Sequence, residues 1–282
     1  MPLLAIASLT LHEAVRRRLV LAVALLTIVV VGLTLWGFAR LHTMAVTQHR
    51  PAPEEAAAAY AGLVIMLAWM FSFVLAVGAA FLAAPAISGD VDSGVALVVL
   101  PRPINRSDVV IGKWLGLCII LAMYAFGAGA LELTGVRLLT GYSPPHPVEA
   151  LSFIVLQMIA LLTPALALST RMAPITAGVV ALVGYGVAWI AQVAGSLAVL
   201  FHNDALAHAC TVVSLVIPTG GLWRGVAFNL EPVLIAAASG SAGGANPITV
   251  PSPPTTAFML WTAGWIIAVL AVAVASFRRR DV

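Results

Sequence analysis

Long apolar runs separated by short polar or charged clusters set the pattern along this chain. Between Arg18 and Arg40 lie 21 uncharged residues, enough to cross a hydrocarbon core of about 30 Å as a helix rising about 1.5 Å per residue. Glu55 and Asp90 enclose 34 more, of which 60–84 is continuously apolar before Pro85 and Gly89 interrupt it. With further runs at 109–133, 150–168, 175–200 and 256–277, the pattern predicts six spans at about 19–39, 60–84 and those four positions. The expected fold is all-α, a single transmembrane domain over 1–282. Its polar connections are an inner segment at 85–108 and an outer one at 201–255.

Two stretches outside the spans carry their own periodicity. Residues 1–18 place Leu4, Ala7, Leu11, Ala14 and Val15 on one helical stripe, with Ser8, His12, Glu13 and Arg16 opposite. That suits a helix lying in the inner interface and entering the first span by an elbow. A cleaved signal peptide fits less well, because the N-region is long, contains Glu13 and lacks an A-x-A site. In 201–255, the apolar runs Ala209 to Pro218 and Pro232 to Ala238 are each too short to span. They predict interfacial or re-entrant helices, the first capped by Asn203 or Asp204 and ended by Pro218. The following SGSAGGANPITVPSPP reads as a flexible loop.

Composition sharpens this picture. At 62% hydrophobic and 9% charged, the chain departs from the roughly 45–50% and 25% of a soluble domain, which excludes a water-facing globule. The net charge of +3 sits in clusters beside apolar runs, a pattern that orients spans rather than one that grips nucleic acid. With the N-terminus inside, Arg16, Arg17, Arg18, Arg102, Arg106, Lys113, Arg171, Arg278, Arg279 and Arg280 make ten inner cations against four outer ones, Arg40, Arg50, Arg137 and Arg224. The asymmetry predicts both termini on the cytoplasmic side of a bacterial plasma membrane. Cys118 and Cys210 lie 92 positions apart and form no CxxC, so they carry no redox or metal signal.

Little catalytic chemistry is visible. Lys113 is the only lysine and Trp114 follows it, so the Gly-Lys-Ser/Thr of a phosphate-binding loop is missing and this chain is not expected to be an ATPase or other enzyme. His202 and His208, with Asp204 between them, lie six apart and so face opposite sides of a helix, unlike the i, i+4 histidines of a helical zinc site, and no G-x-S-x-G elbow occurs. No metal or cofactor is expected in the chain itself. Glu132 is the only carboxylate within a span; it is expected near the outer end, hydrated by the interface or paired with Arg137. Gln157, Thr163, Ser169, Gln192 and Ser196 are the residue types that pack helices in lipid, and a translocation path lined by Gln157, Gln192 and Glu132 would use the same types. An ion-coupled secondary transporter or channel would show mid-membrane carboxylates and broken spans; the sequence displays neither. An intramembrane enzyme would need a nucleophile, metal set or phosphate site.

The most informative segment is AISGDVDSGVALVVLPRPINRSDVVIGKWLG, residues 86–116. Asp90 and Asp92 begin a short helix-compatible run, Pro101 and Pro103 force an extended turn, and Asn105 or Ser107 can cap the next helix with Asp108 in its first turn. From Asp108 to Leu133 that helix would be about 39 Å long, leaving a turn or two beyond the hydrocarbon. The order from Ser88 to Gly116 resembles the segment between the second and third spans of ABC-2 type permeases, the membrane subunits of ATP-binding-cassette exporters. Ser88, Gly89, Asp90, Asp92, Gly94, Arg102, Pro103, Arg106, Asp108, Gly112, Lys113 and Gly116 carry the likeness. Glu13 before Arg16 to Arg18, the VIPTGGLWRG stretch and the closing FRRRDV agree with it. The resemblance is nearest the stand-alone permeases that include the one from nitrous-oxide-reductase maturation systems. It implies a permease that pairs with a second copy, or a close homologue, and with two cytosolic ATPases, which hold the ATP and Mg. It also implies that Gly89 to Leu100 is a coupling helix, with Asp90 and Asp92 meeting basic or polar groups of the ATPase. Arg102, Arg106 and Lys113 would anchor the flanking helix at the lipid or ATPase surface.

Overall fold

The computed structural model describes residues 5–11, 18–48, 53–92, 105–231 and 252–279. Every regular element among them is a helix: α1 (5–11), α2 (Arg18–Gln48), α3 (Pro53–Ala83), α4 (Pro85–Asp92), α5 (Arg106–Thr140), α6 (Pro147–Ser169), α7 (Pro174–Leu200), α8 (Asp204–Val216), α9 (Thr219–Leu230) and α10 (Thr256–Arg278). Among the described residues, five helices are long and apolar enough to cross a membrane, and six if the bent pair α8 and α9 is taken as one span. The α2 helix runs 31 residues, with its described apolar stretch at Thr27–Arg40. The chain is a multi-pass membrane protein.

α6 is the axis of the bundle. Of its apolar window 61% is buried, against 17% for α10, and α3, α5, α7, α9 and α10 all pack on it. Its central run is shielded on all sides: Met158, Leu162, Ala165 and Leu166 are fully buried. A helix apolar all round is what such a position requires. Pro164 is accommodated inside it; the preceding Thr163 hydroxyl turns back to the Ile159 carbonyl and also accepts a hydrogen bond from Trp114 Nε1 at 3.0 Å.

Several boundaries differ from the sequence reading: α2 runs on to Gln48, nine residues past 39, and α3 starts at Pro53, seven before 60. Pro85 does not end the second span, since helical structure resumes at Pro85 after a one-residue turn at Ala84, whose N–H still bonds to Ala80. Proline at the first position of a helical segment loses only a donor that has no partner there, so the apolar helix continues to Asp90. At the other end, α5 runs to Thr140, seven residues past the predicted end at Leu133. It stops where Gly141 takes φ 73°, a left-handed cap whose N–H returns to the Arg137 carbonyl.

The region 201–255 departs most from a surface loop. Asn203 caps α8 by accepting from Leu206 N–H at 3.1 Å, and α8 runs back along α7, with Cys210 beside Gly195 and Ile217 beside Gly184. The chain then bends by 96° at Pro218. α9 returns toward the end it came from, where Asn229 O accepts from His146 N–H at 3.1 Å and Leu230 O from the Tyr142 hydroxyl at 3.4 Å. Burial pushes the Tyr142 phenol up to about 12, which keeps it a donor. No residue of α8 is buried, whereas nine of the twelve in α9 are, so α8 is a peripheral arm and α9 a re-entrant one. Gly225 lets α9 meet α6: a Cβ there would lie 2.4 Å from Phe153 Cδ1. The second predicted run, Pro232 to Ala238, lies outside the described residues, as does most of the loop after it.

Candidate functional site: a charged latch and a buried polar network

One end of the bundle is basic. Arg106, Lys113, Arg171, Arg278 and Arg279 gather there on the starts and ends of α5, α7 and α10. Arg106 donates to the Phe277 carbonyl at 3.3 Å and stacks over the Phe277 ring at 5.9 Å, where a cation complements the carbonyl end of α10. Arg171 donates to Ser276 Oγ at 2.9 Å, and Arg278 to Ser107 Oγ at 2.6 Å. α1 sits at the same end: a Cβ on Gly116 would meet the Ala7 carbonyl oxygen at 2.9 Å.

The sharpest feature here is a latch. Lys113 Nζ donates to Asp90 Oδ2 and to the Ala86 carbonyl, joining α4 to α5. The lysine side chain is 12% exposed and the aspartate 30%. The geometry follows from sequence: Pro85 restarts α4 and leaves the Ala86 carbonyl near the start of its first turn, with Asp90 one turn on. Lys113, two turns into α5, faces both. Asp90, expected to meet the ATPase, and Lys113, expected at the lipid or ATPase surface, pair with each other within the chain. Asp92 is the last residue of α4, Asp108 lies in the first turn of α5, and Gly89 is inside α4. Gly94 and Arg102 lie outside the described residues.

Deep in the bundle, neutral groups form a second cluster. Gln157 Oε1 accepts from Ser72 Oγ at 2.6 Å, its Nε2 donates to the Thr219 carbonyl at 2.9 Å, and Ser72 also lies 3.4 Å from the Tyr185 hydroxyl. One amide therefore ties α3, α6 and the start of α9 together, with α7 through Tyr185. A space with about 10 Å³ open to the centre of a water molecule lies among Trp69, Gln157, Tyr185, Trp189, Gln192, Thr219, Gly220 and Trp223. Thr219 Oγ1 is buried beside it with no hydrogen-bond partner among the described residues.

Gln157 and Gln192, proposed from sequence for one path, thus share a cavity. Glu132 does not join them. It is 9% exposed, in a separate space of about 20 Å³ walled by residues such as Leu67, Phe71, Leu151 and Leu230. Neither expected environment holds for it. Because α5 continues for two turns beyond it, Glu132 is not at the helix end; Arg137, five residues on, lies about 140° around the helix and is exposed. What sequence reasoning missed was Ser72, Tyr185 and Thr219. A serine in the middle of an apolar span was a usable signal, but the right-angle bend that delivers Thr219 was not. Of the broken pair, α8 was predicted, capped at Asn203 and ended by Pro218, whereas α9 was not.

A set of lipid-length helices with a re-entrant arm and a charged latch at one end defines a polytopic membrane protein. The chain belongs to the ABC-2 family transporter proteins, whose family model matches residues 4–282. It is therefore a membrane permease of an ATP-binding-cassette transporter, from a family of membrane subunits that work with an ABC ATPase. No curated protein matches the chain.

Proposed function

We propose that the protein is the membrane half of an ATP-driven exporter, closest to the stand-alone permeases that include the nitrous-oxide-reductase maturation one. In this reading six spans place both termini and the basic end in the cytoplasm of a bacterial cell, and α8 and α9 open outward. The ten-to-four cation asymmetry supports that orientation. A second copy or close homologue completes the path. Rows of exposed apolar residues on α2, α3 and α7, such as Leu33, Trp36, Met66, Met70, Val183 and Ile190, are the surfaces for that pairing or for lipid.

The observation that carries the mechanism is the Asp90–Lys113 latch. α4 (Pro85–Asp92) holds the first residues of Gly89 to Leu100, the segment that the resemblance assigns to ATPase docking, so a push on that segment reaches α4. The latch and the unbroken run of α3 into α4 pass it to α5 and α3 together. The ATP and Mg that drive the movement reside in the ATPase. Two variants separate docking from transmission. Asp92→Lys leaves the latch in place and should weaken capture of the partner ATPase by about 2 kcal/mol or more. Lys113→Ala should leave capture intact and uncouple ATP turnover from transport in the reconstituted complex. Unchanged capture with Asp92→Lys and unchanged coupling with Lys113→Ala would sink the proposal.

A further inference from the structure

Beside the basic end, α5 and α10 leave an open groove of about 560 Å³. Its walls are Ile111 of α5 and Ile267, Ala271 and Ala275 of α10, and Arg278 and Arg279 close one end. Everything along it is apolar until the two guanidiniums. From Ile267 to Arg278 is eleven residues, about 17 Å along the helix, close to the roughly 15 Å of one leaflet's hydrocarbon. Ile267 is 68% exposed, so among the described residues no neighbouring helix covers the groove at that point.

The carbonyl end of α10 is already met by Arg106 through the Phe277 and Arg278 oxygens. Arg278 gives one N–H to Ser107 Oγ, which leaves further donors on its fork. Neither Arg278 nor Arg279 forms an ion pair with a carboxylate among the described residues, and Asp108, the carboxylate in the first turn of α5, pairs with neither.

The geometry points to a seat for one anionic phospholipid, its acyl chain lying along Ile267, Ala271 and Ala275 and its phosphate between Arg278 and Arg279. Cations above an apolar slot one leaflet deep match the two halves of such a lipid. A second copy is the poorer occupant, because a two-fold contact through this groove would set Arg278 and Arg279 against their own counterparts. The seat requires only that the chain be in a membrane, and so stands apart from the ATPase reading.

The test uses the full-length protein in vesicles carrying spin-labelled phosphatidylglycerol or spin-labelled phosphatidylcholine, with the motionally restricted fraction measured for each. Phosphatidylglycerol should be preferred, and each of Arg278→Gln and Arg279→Gln should cut that preference about fivefold. Ala271→Trp fills the slot and keeps both arginines, and should displace the restricted label as well. That arm separates a seat from diffuse surface attraction. Equal preference in the wild type and all three variants overturns the proposal, as does release of the label by inorganic phosphate at constant ionic strength, which would mean a headgroup-only site. Efficient disulfide cross-linking between copies through Ala271→Cys, in a background lacking Cys118 and Cys210, also overturns it by showing that the groove is a protein interface.

Discussion

The latch at the basic end and the network at the centre solve the same problem, joining helices in lipid, with opposite chemistry. At the basic end Asp90 and Lys113 use full charges on side chains that keep 30% and 12% of their exposure. At the centre Ser72, Gln157 and Tyr185 use only neutral hydrogen bonds, and Ser72 and Gln157 are 0% and 2% exposed. A charge deep in hydrocarbon costs several kcal/mol even when paired, whereas an amide with both ends satisfied costs little. The contrast teaches where movement is permitted. A half-hydrated ion pair can part and be re-solvated by water at the interface; the central network has no such substitute. On this reading α4, the adjoining end of α3 and the basic end of α5 are the parts that shift, and the centre of α3 stays tied at Ser72 to α6.

Breaking the latch should give the largest effect. Lys113→Ala takes the cation away from Asp90 and Asp90→Ala leaves Lys113 the Ala86 carbonyl in place of a counter-charge, each at about 2 kcal/mol, between the roughly 0–1 of an exposed pair and the 3–5 of a buried one. Transport in the reconstituted complex should fall at least tenfold with either. The exchange Asp90→Lys with Lys113→Asp should recover a substantial part, because the pair is re-formed with its sign reversed. If the exchange is as inactive as the single variants, the two residues act separately and the comparison fails.

At the network, Gln157→Leu removes one acceptor and one donor and leaves the Ser72 hydroxyl to Tyr185 alone. We expect a loss of about 1–2 kcal/mol, since bonds in lipid average about 0.6 kcal/mol and a stranded buried group adds about 1–3 kcal/mol at most. Unfolding in mixed micelles would measure it. Coupling of ATP turnover should be retained in the folded fraction, which is the point of difference from the latch. A smaller change tests the seat of α1: Gly116→Ala brings a Cβ against the Ala7 carbonyl and Thr10 Cβ, both at 2.9 Å. Backbone cannot yield as a side chain does, so residues 5–11 should lift, at about 1 kcal/mol, with faster amide exchange over 5–11 alone. Unchanged exchange would remove α1 from the basic end.

These regions also differ in how well the sequence announced them. Apolar run length located the long helices to within a few residues at most ends, because hydrophobic length is the property lipid reads. Asp90, Arg106 and Lys113 stood out as charges beside those runs. Their partners did not: whether Lys113 turns to lipid, to an ATPase or to Asp90 depends on the register of α4 against α5, and that register follows from helix continuing through Pro85. The central network was half legible. Gln157 and Gln192 were visible as polar residues in apolar runs, but Thr219 reaches Gln157 only because α8 and α9 meet at 96°. Pro218 announced a helix end without announcing an angle. The groove between α5 and α10 was invisible, since it is made by two helices failing to close.

The smallest expected effect belongs to Glu132, and it bears on the rival reading of an ion-coupled transporter. A carboxylate in a small, mostly apolar cavity is the natural site for such coupling, so its substitution there should abolish transport. In the latch-driven scheme it has no task. No hydrogen bond or ion pair to a described residue holds Glu132, and its cavity is separate from the one that Gln157 and Gln192 share. Glu132→Gln keeps the volume and puts a neutral amide in place of a carboxyl that has no partner among the described residues, so stability should hold or rise. ATP-dependent transport should stay within about twofold of the wild type, a barrier change under about 1 kcal/mol. The informative measurement is transport with and without an imposed proton gradient at fixed ATP. If Glu132→Gln removes a gradient-dependent component, protons share the driving force and the latch is not the only point where energy enters.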